Sequence, residues 1–175
     1  MPHEGGDHTI LTAAALLHDC VEIPKNSPER SSASQLAAAK SASVLANLNW
    51  DDGMIASVVH AIEAHSFSAR ITPMTLEAKI LQDADRLDAI GHIGIARCFY
   101  VSGRLHRVLY DPEDPMASER PLDDPQYAVD HFYAKLLRLS GSFQTEAGDR
   151  IGAERHQVLQ NSLNGLLTEI SPAQP

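Results

Sequence analysis

Cysteine is scarce in this chain, with only Cys20 and Cys98 among 175 residues and no CxxC pair. That excludes a disulfide framework and a thiolate metal cage, and reads as two reduced thiols in a cytoplasmic protein. Long apolar runs are missing as well. No segment has the unbroken apolar length that a bilayer demands, and the first residues lack the basic region and apolar core of a secretory signal. Positive charge is in short supply, with 14 Lys and Arg against 23 Asp and Glu and a formal net charge of −9. This argues against nucleic acid or an anionic membrane as the default partner. Alternation with period two over strand lengths is almost absent, and so is any hairpin signal of the Asn-Gly type. No internal repeat stands out. The expected fold class is therefore all-α, a compact helical bundle with its ligand site between helices.

The length fits one domain with a substantial core. We expect it over residues 7–170, with flexible ends at 1–6 and 171–175. Asp7 is placed to cap a first, alanine-rich helix running to about Cys20. A side-chain set that small packs close to its neighbours, so this helix is expected at the centre. Ser32-Ala33-Ser34-Gln35 fits a capping box opening a second helix to about Leu48. Asp51 or Asp52 caps a third, Met54 to His65, and Thr75 a fourth, Leu76 to Ile90. Further helices are expected over about 92–102, ending at Gly103, and from Asp124-Pro125 to Leu139, with Ala128, Phe132 and Leu136 on one face. Arg104 to Tyr110 reads as a short helical piece, and Thr145 to Leu167 as a last amphipathic helix. Residues 111–124, polar and proline-rich, read as a functional lid or a mobile loop.

Leu17-His18-Asp19 closes the first apolar run, and Asp83-Ala84-Asp85-Arg86-Leu87-Asp88 forms a second acidic place far along the chain. An imidazole, a neighbouring carboxylate and a distant carboxylate make a plausible ligand set for a divalent metal. Adjacent residues diverge by about 100° on a helix, so His18 and Asp19 share an ion only at a helix end. Asp85 and Asp88 share a face while Asp83 diverges, and Arg86 is placed to pair with a carboxylate. His60 and His65, five apart, are not a paired zinc motif of the HExxH kind. One of them can face the site while the other caps the helix C-terminus.

These pieces together resemble the HD superfamily of metal-dependent phosphohydrolases, close to a branch of small bacterial HD-domain proteins. The residues that carry the resemblance are Leu17-His18-Asp19, the segment from His60 to Phe67, the block from Lys79 to Gly91, and Asp130-His131-Phe132 with Lys135-Leu136-Leu137. The resemblance implies an all-helical, HD-domain-like core in which His18 and Asp19 are the metal-binding pair. It makes Asp85, which precedes Arg86-Leu87, the late aspartate ligand, with Asp83 as the alternative. The family's first histidine lies on a helix upstream of the pair, and here that helix is expected to be missing. His3 and His8 are the upstream histidines that remain.

The resemblance further implies a phosphohydrolase acting on a nucleotide or another small phosphoester. Asp19 or Asp85 would orient a water, and His60 or His65 would balance phosphoryl charge or protonate the leaving oxygen. Lys25, Arg86 and Lys135 would meet a phosphate. The divalent ion would be Mn, Mg, Zn, Fe, Ni or Co, since mixed nitrogen and oxygen donors do not choose among them. The expected partner is that small phosphorylated substrate, with room for a homo-oligomer. The alternative is an HD-fold domain impaired in catalysis by the loss of the first histidine and kept as a binding or regulatory module. A two-iron HD oxygenase needs more histidine and aspartate ligands than can be assigned.

Overall fold

The structure, a computed structural model, describes residues 5–24 and 27–170, with the side chain of Arg30 left aside. His3 and Lys25 lie outside the described residues. The order is α1 (His8–Leu17), a 3-10 turn (Pro28–Ser32), α2 (Ala33–Asn47), α3 (Asp52–His65), α4 (Leu76–Asp88), α5 (Gly91–Arg104), α6 (Ala128–Ala134), a second 3-10 turn (Leu136–Gly141) and α7 (Glu146–Ile170). The fold class is all-α, as expected. Pairing of the β type is limited, among the described residues, to one isolated parallel bridge between Val108 and Tyr127. Among the described residues, no helix is long and apolar enough to cross a membrane.

The chain divides into two compact units. The first runs to Asp85 and includes Gln144–Gly148. Its core is built from small side chains: Ala14, Ala37, Ala38, Ala61 and Ala64 are all 1% exposed or less, with Leu45, Val58 and Ile62 among them. Alanine lets α1, α2 and α3 approach closely, so a modest apolar volume serves as the core. Asp7 begins α1 by accepting from the N–H groups of Thr9 and Ile10, at 2.7 and 3.2 Å. Asp51 does the same for α3 through Gly53 and Met54. Thr75 Oγ1 takes the Ala78 N–H in α4. All three caps satisfy donors that a helix start leaves orphaned.

Asp83 serves a different helix. It is fully buried, and its carboxylate accepts from the Gln144 N–H, the Thr145 N–H and the Thr145 hydroxyl. It thus ties α4 to the segment that opens α7. A Cβ on Gly148 would collide with the Asp83 carboxylate, so only glycine leaves room for this closure.

The second unit holds Arg86–Phe143 and the rest of α7 from Asp149. Phe132, Val129, Leu136, Leu159 and Leu163 form its core with Cys98. The expected face of Ala128, Phe132 and Leu136 is buried, each 2% exposed or less.

Four local expectations need correction. Ser32 makes no side-chain cap, because the 3-10 turn from Pro28 feeds directly into α2 and Ser32 already sits in the right-handed helical region. Helix α5 does not stop at Gly103. It runs to Arg104 and closes with His106 in the left-handed region at φ 55°, where Arg107 N–H bonds back to Ser102 O and His106 N–H to Gly103 O. That is the Schellman arrangement, usually given to glycine. The stretch after it is not helical. Val108 N–H bonds to Gln126 O and Ala128 N–H to Val108 O, which makes the bridge instead. Holding Tyr127 extended in that bridge delays α6 to Ala128, so Asp124-Pro125 does not open it.

Residues 111–124 form a tied loop. Asp114 accepts from the N–H groups of Ser118, Glu119 and Arg120. Arg120 in turn makes a two-pronged pair with Asp130, at 2.6 and 2.9 Å, and lies 4.5 Å over the Tyr127 ring. The Asp130 side chain is fully buried, and its Oδ2 also accepts the Asp123 N–H.

Candidate metal centre

The His-Asp pair follows the last turn of α1. His18 is the helix cap, at φ −58° and ψ −32°, and the Cys20 N–H bonds back to Leu17 O. His18 keeps helical dihedrals, and the regular helix ends in the turn that follows it. His18 Nε2 lies 3.7 Å from Asp19 Oδ2.

The third member comes from the end of α3. His65 is buried, 5% exposed, and its ring meets that of His18 edge-on at 5.0 Å between centroids. One ligand atom from each of His18, Asp19 and His65 lies within 4.8 Å of the others. Gln82 on α4 steadies this end of α3 by donating from Nε2 to Ala64 O at 2.6 Å.

The two imidazoles are oriented alike. His18 Nδ1 contacts Ala15 O at 2.8 Å, and His65 Nδ1 contacts Ile62 O at 2.6 Å. A carbonyl oxygen only accepts, so each Nδ1 must carry the proton and donate. In a neutral ring Nε2 then holds the free lone pair. A backbone carbonyl behind the ring is a common way to fix the tautomer of a metal-binding histidine. Two neutral nitrogen donors and one carboxylate suit a divalent ion of borderline softness. Such an ion holds nitrogen and oxygen donors at about 2.0–2.2 Å, so two donors are at most about 4.4 Å apart. The group therefore has to draw in slightly. Asp19, 71% exposed, has the freedom to do it, while the buried His65 does not.

The other residues singled out from the sequence stand elsewhere. Asp85 is half-buried on α4 and is not a member of the three-residue group. It lies two residues from Asp83, about 200° around the helix, and so faces away from the cap that Asp83 makes. The carboxylate of Asp83 itself is taken up by the start of α7. His60 Nε2 accepts the Met74 N–H at 2.9 Å, which anchors the connection into α4. Arg86 Nη1 donates to Ser142 O. Lys135 lies at the end of α6 in the second unit. His8 opens α1.

Sequence reasoning left either His60 or His65 to face the site, and the structure sets His65 beside the His-Asp pair. It gave no role to His131, noted only within Asp130-His131-Phe132, whose Nδ1 lies 2.8 Å from Asp124 Oδ1. Burial works to raise the Asp124 carboxyl, but the hydrogen bond from His131 and the charges of His131, Arg107 and Lys135 outweigh it and hold the group below the usual carboxylate range. No motif marks Asp124 and His131 as partners, and only their seven-residue separation around a turn was there to be noticed.

Comparison with known proteins places this geometry in context. Residues 2–90 match the HD domain family. The chain is 33% identical over 171 residues to the Bacillus subtilis protein YpgQ, covering 95% of this chain and 75% of that one. The crystal structure of YpgQ in complex with ADP matches with a TM-score of 0.74 at 31% identity, over 99% of this chain and 82% of that one. An HD-superfamily hydrolase from Bacillus thuringiensis matches with a TM-score of 0.70 at 32% identity, over 96% and 77% of the two chains. A helix-end His-Asp pair, a matching domain and these relatives agree: the chain belongs to the HD-domain family and has the fold of its hydrolases.

Proposed function

We propose that this chain is a metal-dependent phosphohydrolase acting on a nucleotide or another small phosphoester. The observation that carries the reading is the paired orientation of His18 and His65, each with Nδ1 tied to a backbone carbonyl and Asp19 alongside. Those three residues would hold the ion, the histidines through Nε2. Family likeness adds Asp85 as a further donor. A divalent ion bound there supplies Lewis acidity, lowering the pKa of a bound water and polarising a phosphoryl oxygen.

The protein's own contribution is positional. The backbone carbonyls of Ala15 and Ile62 hold both rings in the tautomer that, in the neutral ring, leaves the Nε2 lone pair for a ligand. Asp19, the exposed member, accepts a hydrogen bond from an incoming water and orients it towards phosphorus. The buried His65 closes the inner side of the site against solvent. The ADP held by the Bacillus subtilis relative supports a nucleotide as the substrate class.

A second reading, a binding module of the same fold, is favoured by the three-member size of the donor group. Calorimetric titration with Mn2+ and a phosphate-release assay on nucleotides separate the two. Metal uptake at one site per chain with metal-dependent turnover is the expected result. Uptake without turnover selects the binding module. His18→Ala and His65→Ala should each weaken Mn2+ by tenfold or more, on the order of what loss of a ligand or of its support costs. Unchanged affinity in both variants sinks the ligand assignment.

A further inference from the structure

We infer that Arg107, His131 and Lys135, gathered around Asp124 in the second unit, form an additional anion site that takes a phosphate-type dianion. This does not rest on the metal centre and would survive its failure.

The cluster is built on fixed backbone. Arg107 follows the left-handed residue His106, and its N–H bonds to Ser102 O at 3.0 Å. Its neighbour Val108 bridges to Tyr127, just before α6 begins. His131 lies on α6, and Lys135 is one turn further on, its N–H bonded to His131 O. Lys135 is the cap residue just past α6, at φ −135°, and its charge acts on Asp124. The two chain segments that carry the cations are therefore joined by backbone hydrogen bonds, not by the cations themselves.

Asp124 organises the group. Its Oδ1 accepts from Arg107 Nη1 at 3.0 Å and faces His131 Nδ1 at 2.8 Å. A carboxylate oxygen accepts, so Nδ1 is the protonated nitrogen of His131. Its Nε2 has no partner among the described residues, and Arg107 uses a single N–H of its guanidinium on Asp124. Both side chains reach solvent, at 16% and 23% exposed. One acid therefore aims two nitrogen groups whose remaining donor positions are not taken.

Charge decides the ligand class. Arg107 and Lys135 against Asp124 leave one net positive charge. A proton on His131 makes it two, and turns Nε2 into a donor. That balances a dianion. The chain as a whole carries −9, so a small anion is attracted here against the general field, while a polyanion is not. A guanidinium beside a further donor suits the tetrahedral face of a phosphoryl group.

The test uses the whole chain labelled with 15N-histidine. Its ring signals are followed by NMR as inorganic phosphate replaces chloride at constant ionic strength. The expected result is a saturable shift of the His131 ring. Arg107→Gln and Lys135→Gln should each weaken that binding about tenfold, the worth of one charge-assisted contact. Methyl phosphate in a parallel titration tells the source: tighter binding than inorganic phosphate marks the end of a phosphoester, weaker binding marks free phosphate. A His131 ring that does not move overturns the proposal, as does movement confined to His18 and His65. So does an unchanged curve in both variants. The wild-type titration stands even where a variant fails to fold.

Discussion

At the scale of single residues, carboxylates in this chain follow their surroundings more than their spacing. Asp83, Asp85 and Asp88 occupy one short acidic stretch, yet Asp83 is fully buried as the acceptor for the start of α7, and Asp88 is an exposed partner of Arg97. Asp83→Ala should cost about 2–3 kcal/mol, combining a lost helix cap with buried donors left unpaired. Urea unfolding at pH 7 measures it. Gly148→Ala should also destabilise, and the double variant should lose less than the sum, because both changes break the same closure. Full additivity would mean that Gly148 matters for another reason. The resemblance singled out the acidic block for its ligand. It could not reveal which of its acids face a helix start, because that is set by residues sixty positions away.

At the scale of elements, helix starts were legible and helix ends were less so. Asp7, Asp51 and Thr75 each cap the helix that follows them, since the donor and acceptor are two or three residues apart. Ends are read from glycine, and α5 breaks that habit by placing His106 in the left-handed region. A side chain with a Cβ is strained there by about 1 kcal/mol. His106→Gly should therefore stabilise the protein by about 0.5–1 kcal/mol, visible as a higher midpoint in chemical unfolding. Loss of stability instead would show that the imidazole makes up the difference through contacts of its own. Asn49, at φ 56° in the same kind of closure after α2, should gain less from glycine, because asparagine tolerates this region better.

At the scale of the whole molecule, acidity and stability are linked. Asp111, Asp114, Asp124 and Asp130 are all held below their ordinary value of 3.8. For Asp130, burial pushes the other way, and the hydrogen bonds from Arg120 and the Asp123 N–H prevail. A carboxyl with a depressed folded value stabilises the fold above 3.8, and loses that contribution as pH falls through the folded value. Thermal stability should therefore hold above pH 4 and fall steeply below it. Asp130→Asn should lower stability at pH 7 and flatten the acid limb of the curve. An equally steep acid limb in that variant would place the sensitivity in other groups.

Much of this protein is written locally. Alanine-rich periodicity, the acid and threonine caps and the want of alternation were enough to predict an all-α chain, because helices are stabilised by neighbours within one turn. The ordered motifs were enough to point to the HD-domain family. Tertiary structure alone brought His65 to the His-Asp pair, gave Asp83 to α7 and His60 to Met74, and joined Arg107 to Asp124 and His131. Each of those contacts depends on how separate segments pack. Packing is decided by the shared burial of many small apolar groups, which no single stretch of sequence encodes.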